Sequence, residues 1–195
     1  FTPLRDKAAL LMGEGSTGNV TIQGSARLGN GSTNSVGAES DNGHAGAIMY
    51  HSTGSLTIKG ALITSGPYGS SGVVVYKPTT ITCSGPTSVY ATNQGGNNCF
   101  DVDTAGVTIN FNSTGYFYCT AGYVVNADKY SIKYNITKGN FVSRKNKYMF
   151  TNNGSNVNNY VSTSSPSSRT FLYMNDYNTT TRITISDCYY LGVGV

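Results

Sequence analysis

The stretch Val107-Thr108-Ile109 is one copy of a short pattern, apolar-polar-apolar, that decides the fold. Related copies, whose third residue is usually apolar as well, begin at Val20, Leu56, Ile81, Val107, Ile132, Val157 and Ile183. Successive copies begin 36, 25, 26, 25, 25 and 26 residues apart. A fixed period of this size indicates a solenoid, in which each repeat is one coil that buries its apolar face against its neighbours.

Two further series of apolar segments share this period. One runs through Ala47-Ile48-Met49-Tyr50, Val73-Val74-Val75-Tyr76, Cys99-Phe100-Asp101-Val102, Tyr123-Val124-Val125-Asn126, Tyr148-Met149-Phe150-Thr151 and Phe171-Leu172-Tyr173-Met174. In that series Ile48, Val74 and Phe100 follow one another at 26 residues, and Met149 follows Val124 at 25. The third series is Ala61-Leu62-Ile63, Ser88-Val89-Tyr90, Tyr116-Phe117-Tyr118 and Asn140-Phe141-Val142. Three short strands per coil predict an all-β protein, a single right-handed parallel β-helix of about seven coils of roughly 25 residues each.

Strand geometry then predicts which side chains are buried. Because side chains alternate across a strand, Val107 and Ile109 point to one side and Thr108 to the other. Coils stacked about 4.8 Å apart bury the aliphatic ladder and expose the threonine ladder. The expected core residues are Val74, Val107, Ile109, Val124, Ile132, Met149 and Ile183.

The ends and insertions divide the chain. Residues 1–19 are expected to be an N-terminal cap or the end of a preceding segment, and residues 20–195 the β-helix domain. The only plausible helix, Leu4 to Met12, could provide that cap. The longer first interval carries Gly-, Ser- and Asn-rich residues from Gly29 to Asn42, which should form a loop at one corner, where solenoids often bind partners.

Composition excludes several classes of protein. A net charge of +4, with one basic cluster at Arg144, Lys145 and Lys147, is too little for the basic stripe of a nucleic-acid binder. No run approaches the roughly 20 apolar residues of a membrane span. The first residue is Phe1, which fits either a mature secreted product or an excised fragment. We therefore expect no nucleic-acid partner, no membrane span, and an extracellular or cell-surface location.

Modification and cross-linking sites follow from the same assumption. Six N-x-S/T sequons, each a candidate glycan acceptor, begin at Asn19, Asn30, Asn112, Asn135, Asn153 and Asn178. The four cysteines are Cys83, Cys99, Cys119 and Cys188. They have no metal-type spacing, so disulfides are favoured over zinc, with buried free thiols as the alternative. No metal or other cofactor is expected.

One coil resembles a known family. The segment Gly43-His44-Ala45-Gly46-Ala47-Ile48-Met49-Tyr50 followed by Leu56-Thr57-Ile58 resembles the GGAI-then-LTI coil of bacterial surface β-helix proteins. These include polymorphic outer-membrane proteins and autotransporter adhesins. The resemblance implies a β-helix of the adhesin or pectate-lyase-like kind.

Many such solenoids cleave acidic polysaccharides, so the carboxylates are the first candidates for a site. If Phe100 and Val102 face inward, Asp101 and Asp103 point outward together, and Asp128 is the nearest stacked carboxylate. This arrangement predicts a glycan- or cation-binding face; the alternative is a solvated strand face. His44 after Asp41 faintly resembles the Gly-His-Gly of polygalacturonases, but no catalytic residue is assigned.

These observations favour a non-catalytic extracellular structural or adhesive solenoid, with carbohydrate as a candidate ligand. The alternative is a polysaccharide-binding or -degrading β-helix, of the lyase, hydrolase or phage tailspike type. The 15 tyrosines suit sugar stacking, protein contact or stabilisation of the outer wall. The C-terminal strand Ile183-Thr184-Ile185 and the apolar tail after it lack charges that discourage strand pairing. We expect this end to be covered by a second copy stacked head to tail, or by more coils of a longer chain.

Overall fold

The computed structural model describes residues 8–29, 46–65, 71–91, 98–120, 122–127, 130, 132–143, 148–150, 170–172, 183–185 and 188–192, with side chains up to 142 and at 150. This part of the chain is all-β and contains no helix. Its strands are β1 (Leu10–Met12), β2 (Val20–Gln23), β3 (Arg27–Gly29), β4 (Gly46–Tyr50), β5 (Leu56–Lys59), β6 (Leu62–Thr64), β7 (Ser71–Val75), β8 (Thr80–Gly85), β9 (Ser88–Ala91), β10 (Phe100–Val102), β11 (Thr108–Cys119), β12 (Val125–Asn126), β13 (Lys133–Ser143), β14 (Tyr148–Phe150), β15 (Thr170–Leu172), β16 (Ile183–Ile185) and β17 (Cys188–Gly192).

The strands stack into three walls, and every pairing between described strands is parallel. Wall 1 has the order β1-β4-β7-β10-β12-β14-β15. Wall 2 contains β2, β5, β8, the first halves of β11 and β13, and β16. Wall 3 contains β3, β6, β9, the second halves of β11 and β13, and β17. The long strands β11 and β13 run through both walls and change register at the corner between them.

This arrangement is a β-solenoid of about three turns, which confirms the predicted fold class in its coarse form. The turns described through all three walls lie in 46–65, 71–91 and 98–120. The prediction of seven coils is not supported. In wall 2, Tyr134 of β13 pairs directly with Ile183 of β16, which leaves no rung between them for the predicted copy at Val157. Val157 itself lies outside the described residues, and the right-handed sense of the coil stays a prediction.

The predicted helix from Leu4 to Met12 is wrong where the structure describes it. Leu10–Met12 is β1, which pairs with β4 through Leu10 and Ile48. An apolar run of three residues gains more by extending wall 1 than by starting a helix, since a short isolated helix has a costly first turn. The predicted division at residues 19 and 20 stays a prediction.

Register in wall 2 departs from the predicted repeat by two residues. Ile81 pairs with Ile109, and Ile109 with Tyr134, rather than Ile81 with Val107 and Val107 with Ile132. A shift of two keeps each side chain on its original face. The predicted core positions Val107, Ile109 and Ile132 are therefore buried as expected.

Register in wall 1 departs by one residue, which reverses the face. Ile48 pairs with Val73 and Val73 with Phe100, so Val74 lies between Met49 and Asp101. Val74 is buried, but on the side of wall 1 away from the core cluster, so its predicted core position is wrong.

The other predicted core positions have mixed outcomes. Val124 belongs to the core cluster as predicted. Phe150, not Met149, is the wall 1 partner of Val125. The side chains of Met149 and Ile183 lie outside the described residues. In wall 3 the third series has the predicted register, with Ile63, Val89, Phe117 and Phe141 in one column.

The core changes character along the axis. The early turns are filled by aliphatic residues such as Ile48, Leu56 and Ile63. The later turns are filled by aromatic rings that meet mainly edge to face: Phe111 lies 4.8 Å from Phe117 and 5.3 Å from Phe141, measured between ring centroids. Edge-to-face pairs contribute about 0.5–1.5 kcal/mol beyond their buried area.

The corner between walls 2 and 3 depends on glycine. Gly24, Gly60 and Gly85 follow or end the strands of wall 2 with φ angles of 71°, 85° and 60°. This left-handed region is open to glycine at little cost. Thr87 fills the inside of the corner, where its Oγ1 accepts a hydrogen bond from the backbone N–H of Gly60 at 2.8 Å. The turn is therefore held by backbone conformation and one buried hydroxyl.

Candidate functional site

Asp101 does not lie on a solvated face, contrary to the expectation from sequence. Its neighbours Phe100 and Val102 face the core as predicted, but Asp101 itself is only 8% exposed. The amide Nδ2 of Asn126, one rung away in wall 1, donates a hydrogen bond to Asp101 Oδ1 at 3.0 Å. Its predicted role in binding a glycan or cation stays a prediction, but the carboxylate is a shielded and partnered group.

Asn126 is a residue that sequence reasoning missed. Its spacing of 25 residues from Asp101 equals the repeat period, and that spacing was the available signal. The error in register in wall 1 hid it, because Asp101 was aligned with positions one residue away.

The other candidates of the carboxylate face are only partly described. Asp103 is half-buried just past β10, where its backbone N–H donates to the carbonyl of Val75 at 2.8 Å. Asp128 lies outside the described residues, as do His44 and the basic cluster Arg144, Lys145 and Lys147. In the described part of the chain, no three His, Cys, Asp or Glu side chains are grouped to hold a metal ion.

A stacked pair lies at the same corner as Asp103. The rings of His51 and Tyr76 are 4.1 Å apart between centroids and inclined by only 11°. Both residues follow wall 1 strands directly, because Tyr50 pairs with Val75 in adjacent rungs. This pair covers the end of wall 1 with flat rings.

The outer face of wall 3 carries the largest exposed aromatic group in the described residues. We call it the tyrosine face, and it consists of two columns of outward side chains: Leu62, Ser88, Tyr116, Asn140 and Thr64, Tyr90, Tyr118, Val142. Tyr90 and Tyr118 are register partners with ring centroids 6.0 Å apart. Tyr116, two residues before Tyr118 on the same strand, is 51% exposed. The sequence repeat placed these residues in its third series but did not indicate that three rings meet on one face.

The surroundings of the tyrosine face are uncharged and ordered by hydrogen bonds. The hydroxyl of Ser88 accepts a hydrogen bond from the backbone N–H of Tyr116 at 3.0 Å. The amide of Asn140 donates to the carbonyls of Thr114 and Gly115 at 3.0 and 3.1 Å. The first charge in the first column is Arg27, which Leu62 and Ser88 separate from Tyr116.

The outer face of wall 2 is polar. Thr57, Thr82, Asn110 and Asn135 stack in one column, as the predicted threonine ladder requires in part. Asn135 Nδ2 donates to Asn110 Oδ1 at 2.7 Å, and Asn110 Nδ2 donates to Thr82 Oγ1 at 3.1 Å. Each rung is thereby tied to the next through its side chains.

The sequons divide between described and undescribed residues. Asn19, Asn112 and Asn135 are exposed on the outer surface. Asn19 Oδ1 accepts a hydrogen bond from the backbone N–H of Ser55 at 2.8 Å. Asn30, Asn153 and Asn178 lie outside the described residues, and glycosylation stays a prediction.

Three of the four cysteines are free thiols. Cys83, Cys99 and Cys119 are fully buried, and no disulfide joins them. Burial raises the pKa of the Cys83 thiol, and burial, followed by its contact with Cys119, raises the pKa of the Cys99 thiol. They act as small core hydrophobes, the alternative reading of the sequence. The side chain of Cys188 lies outside the described residues.

The fold defines the class of this protein as a parallel β-solenoid. In comparisons with known proteins, no family model, no curated protein and no solved structure matches the chain. Among the described residues, no helix is long and apolar enough to span a membrane.

Proposed function

We propose that this chain is a non-catalytic structural and adhesive solenoid of the cell surface or extracellular space, and that its copies associate end to end into a fibre. The observation that supports this best is the first rung, formed by β1, β2 and β3. In the described part of the chain, each of these strands pairs on one edge only.

The first rung also leaves the end of the core partly open. Val20 and Leu28 are half-buried and pack against the core cluster, whereas their partners in the next rung, Leu56 and Ile63, are fully buried. Leu11 in β1 is 41% exposed. Covering apolar surface contributes about 25 cal/mol per Å², so a further rung would be stabilised here.

The backbone of β2 is ready to accept a parallel strand. The N–H of Val20 donates inward to the carbonyl of Ser55 at 2.8 Å. In a parallel ladder alternate residues bond to opposite sides, so the N–H and C=O of Thr21 point to the open edge. An unpaired edge of this kind is a template for another chain.

The last described rung of wall 2 has the matching pattern. β16 is Ile183-Thr184-Ile185, and β2 begins Val20-Thr21-Ile22. Among described strands, β16 pairs only with β13. A second copy that placed β16 against β2 would continue the apolar columns and the polar column without a change of face. Such a contact is heterologous and propagates as a filament.

The test uses the edge residue. Thr21→Pro removes the outward N–H while it leaves the inward bonds of Val20 intact, and proline is tolerated on edge strands. Thr21→Val, which keeps the N–H, is the matched control. Light scattering after size exclusion, with negative-stain microscopy, should show concentration-dependent assembly of the parent and Thr21→Val chains and monomeric Thr21→Pro. A parent chain that stays monomeric at every concentration would refute end-to-end association.

The non-catalytic part of the proposal is supported by the position of Asp101. A hydrolase or lyase needs carboxylates that reach substrate in an open groove, and Asp101 is shielded and bonded to Asn126. We expect no release of reducing or unsaturated ends from polygalacturonate. Turnover that is lost in Asp103→Ala would favour the alternative, a polysaccharide-degrading solenoid. The surface location is supported by the exposed sequon at Asn112 and by the resemblance to adhesin coils.

A further inference from the structure

We propose that the tyrosine face binds a neutral carbohydrate chain. This names the ligand of the adhesive role proposed above and rests on that role. It also moves the expected ligand surface from the aspartates of wall 1 to wall 3.

The geometry of the rings carries the first step. Tyr90 and Tyr118 form a pair 6.0 Å apart across two rungs, and Tyr116 adds a third ring beside Tyr118 on the same strand. Tyr116 is 51% exposed and the other two are half-buried. A tyrosine that is half in solvent offers an apolar ring and a hydroxyl at one place.

The rigidity of the face is the second step. The inward neighbours Val89 and Phe117 are fully buried, so the backbone under the rings is fixed by the core. The N–H of Tyr116 is held by Ser88 Oγ. A ligand that binds to side chains on rigid strands loses less affinity to the ordering of the protein.

The chemistry of the columns selects the ligand. A sugar ring has apolar C–H faces and hydroxyl groups at its rim, which fit tyrosine rings flanked by the polar side chains of Thr64, Ser88 and Asn140. All eight side chains of the tyrosine face are uncharged. An acidic polysaccharide would need complementary cations, and the first one in these columns, Arg27, is separated from Tyr116 by two rungs. The face therefore fits a neutral chain.

The experiment is affinity electrophoresis of the full chain in native gels that contain a neutral β-glucan, a neutral galactomannan or acidic polygalacturonate. We expect at least one neutral polysaccharide to retard the parent chain. Tyr116→Ala and Tyr118→Ala should each weaken that binding about five- to tenfold, the loss of roughly one aromatic contact. Tyr116→Phe should keep most of it. Thr57→Ala, on the outer face of wall 2, is the control that should not change it.

Three results would overturn the proposal: no retardation by either neutral polysaccharide, retardation unchanged in both alanine variants, or retardation by polygalacturonate alone. Thermal melts of each variant identify a loss of fold, and Tyr116→Phe separates loss of the ring from loss of the hydroxyl. The Thr21→Pro chain distinguishes this proposal from the assembly. A monomeric Thr21→Pro chain that binds the glycan would leave the tyrosine face supported even if no fibre forms.

Discussion

Asn126 donates a hydrogen bond to Asp101 across two adjacent strands of wall 1, on the side of the wall away from the core. A carboxylate that is 8% exposed is therefore held by a neutral amide one repeat further along the chain. This relationship makes Asp101 a structural residue of the described wall, and its consequences can be measured.

We expect Asp101→Ala to destabilise the fold by about 1–3 kcal/mol, because it leaves the buried amide of Asn126 without its acceptor. Asp101→Asn, which keeps an acceptor oxygen, should cost less. Asp103→Ala, at a half-buried position after the strand, is the control and should change the free energy of unfolding by about 0.5 kcal/mol or less. Urea unfolding curves measure all three, and equal effects of Asp101→Ala and Asp103→Ala would contradict this account.

Val107→Asp should be severely destabilising, by more than about 3 kcal/mol, because it places an unpaired charge in the core. Val107 is fully buried, whereas Thr108 on the outer face is half-exposed. Thr108→Asp is the matched control and should melt close to the parent chain. A Val107→Asp variant that melts like the parent would show that the faces of wall 2 are assigned incorrectly.

Gly60→Ala should cost about 1–2 kcal/mol, because residue 60 has a φ of 85° and an L side chain is strained there. The added Cβ would also lie 3.1 Å from the carbonyl oxygen of Gly24. Gly13→Ala is the control, since its Cβ would meet nothing within 4 Å and its φ is not in the left-handed region. Comparison of the two melting temperatures tests the corner; similar values would argue against it.

Stability should fall as the pH rises above about 8.5, the ordinary thiol pKa. Burial raises the pKa of Cys83 and Cys99 in the folded chain, so above that pH the unfolded chain releases thiol protons that the folded chain retains. This contribution to stability is complete below the unfolded pKa and is lost as the pH rises toward the folded values. Urea unfolding from pH 7 to 10 measures the slope, and Cys83→Ala should reduce it. An unchanged slope in that variant would be inconsistent with a buried neutral thiol.

The repeat pattern predicted the third wall best, where Val89 and Phe117 occupy the expected column. Its errors elsewhere are instructive. In wall 2 the longer corner before β11 moves the pairing by two residues, and Val107 stays in the core. In wall 1 several adjacent residues are apolar, so Val73 and Val74 are equally plausible partners for Ile48, and only the folded register distinguishes them.

The sequence by itself determined the all-β class, the period of the coils and the apolar ladders, because alternation and spacing are local properties of the chain. The tertiary structure decided which residues meet across rungs: Asp101 with Asn126, Tyr90 with Tyr118, and the free thiols of Cys83, Cys99 and Cys119 within the core. The physical reason is register. A shift of one residue moves a side chain to the opposite face of its wall, and the composition of a strand does not fix that shift when the neighbouring positions are equally apolar.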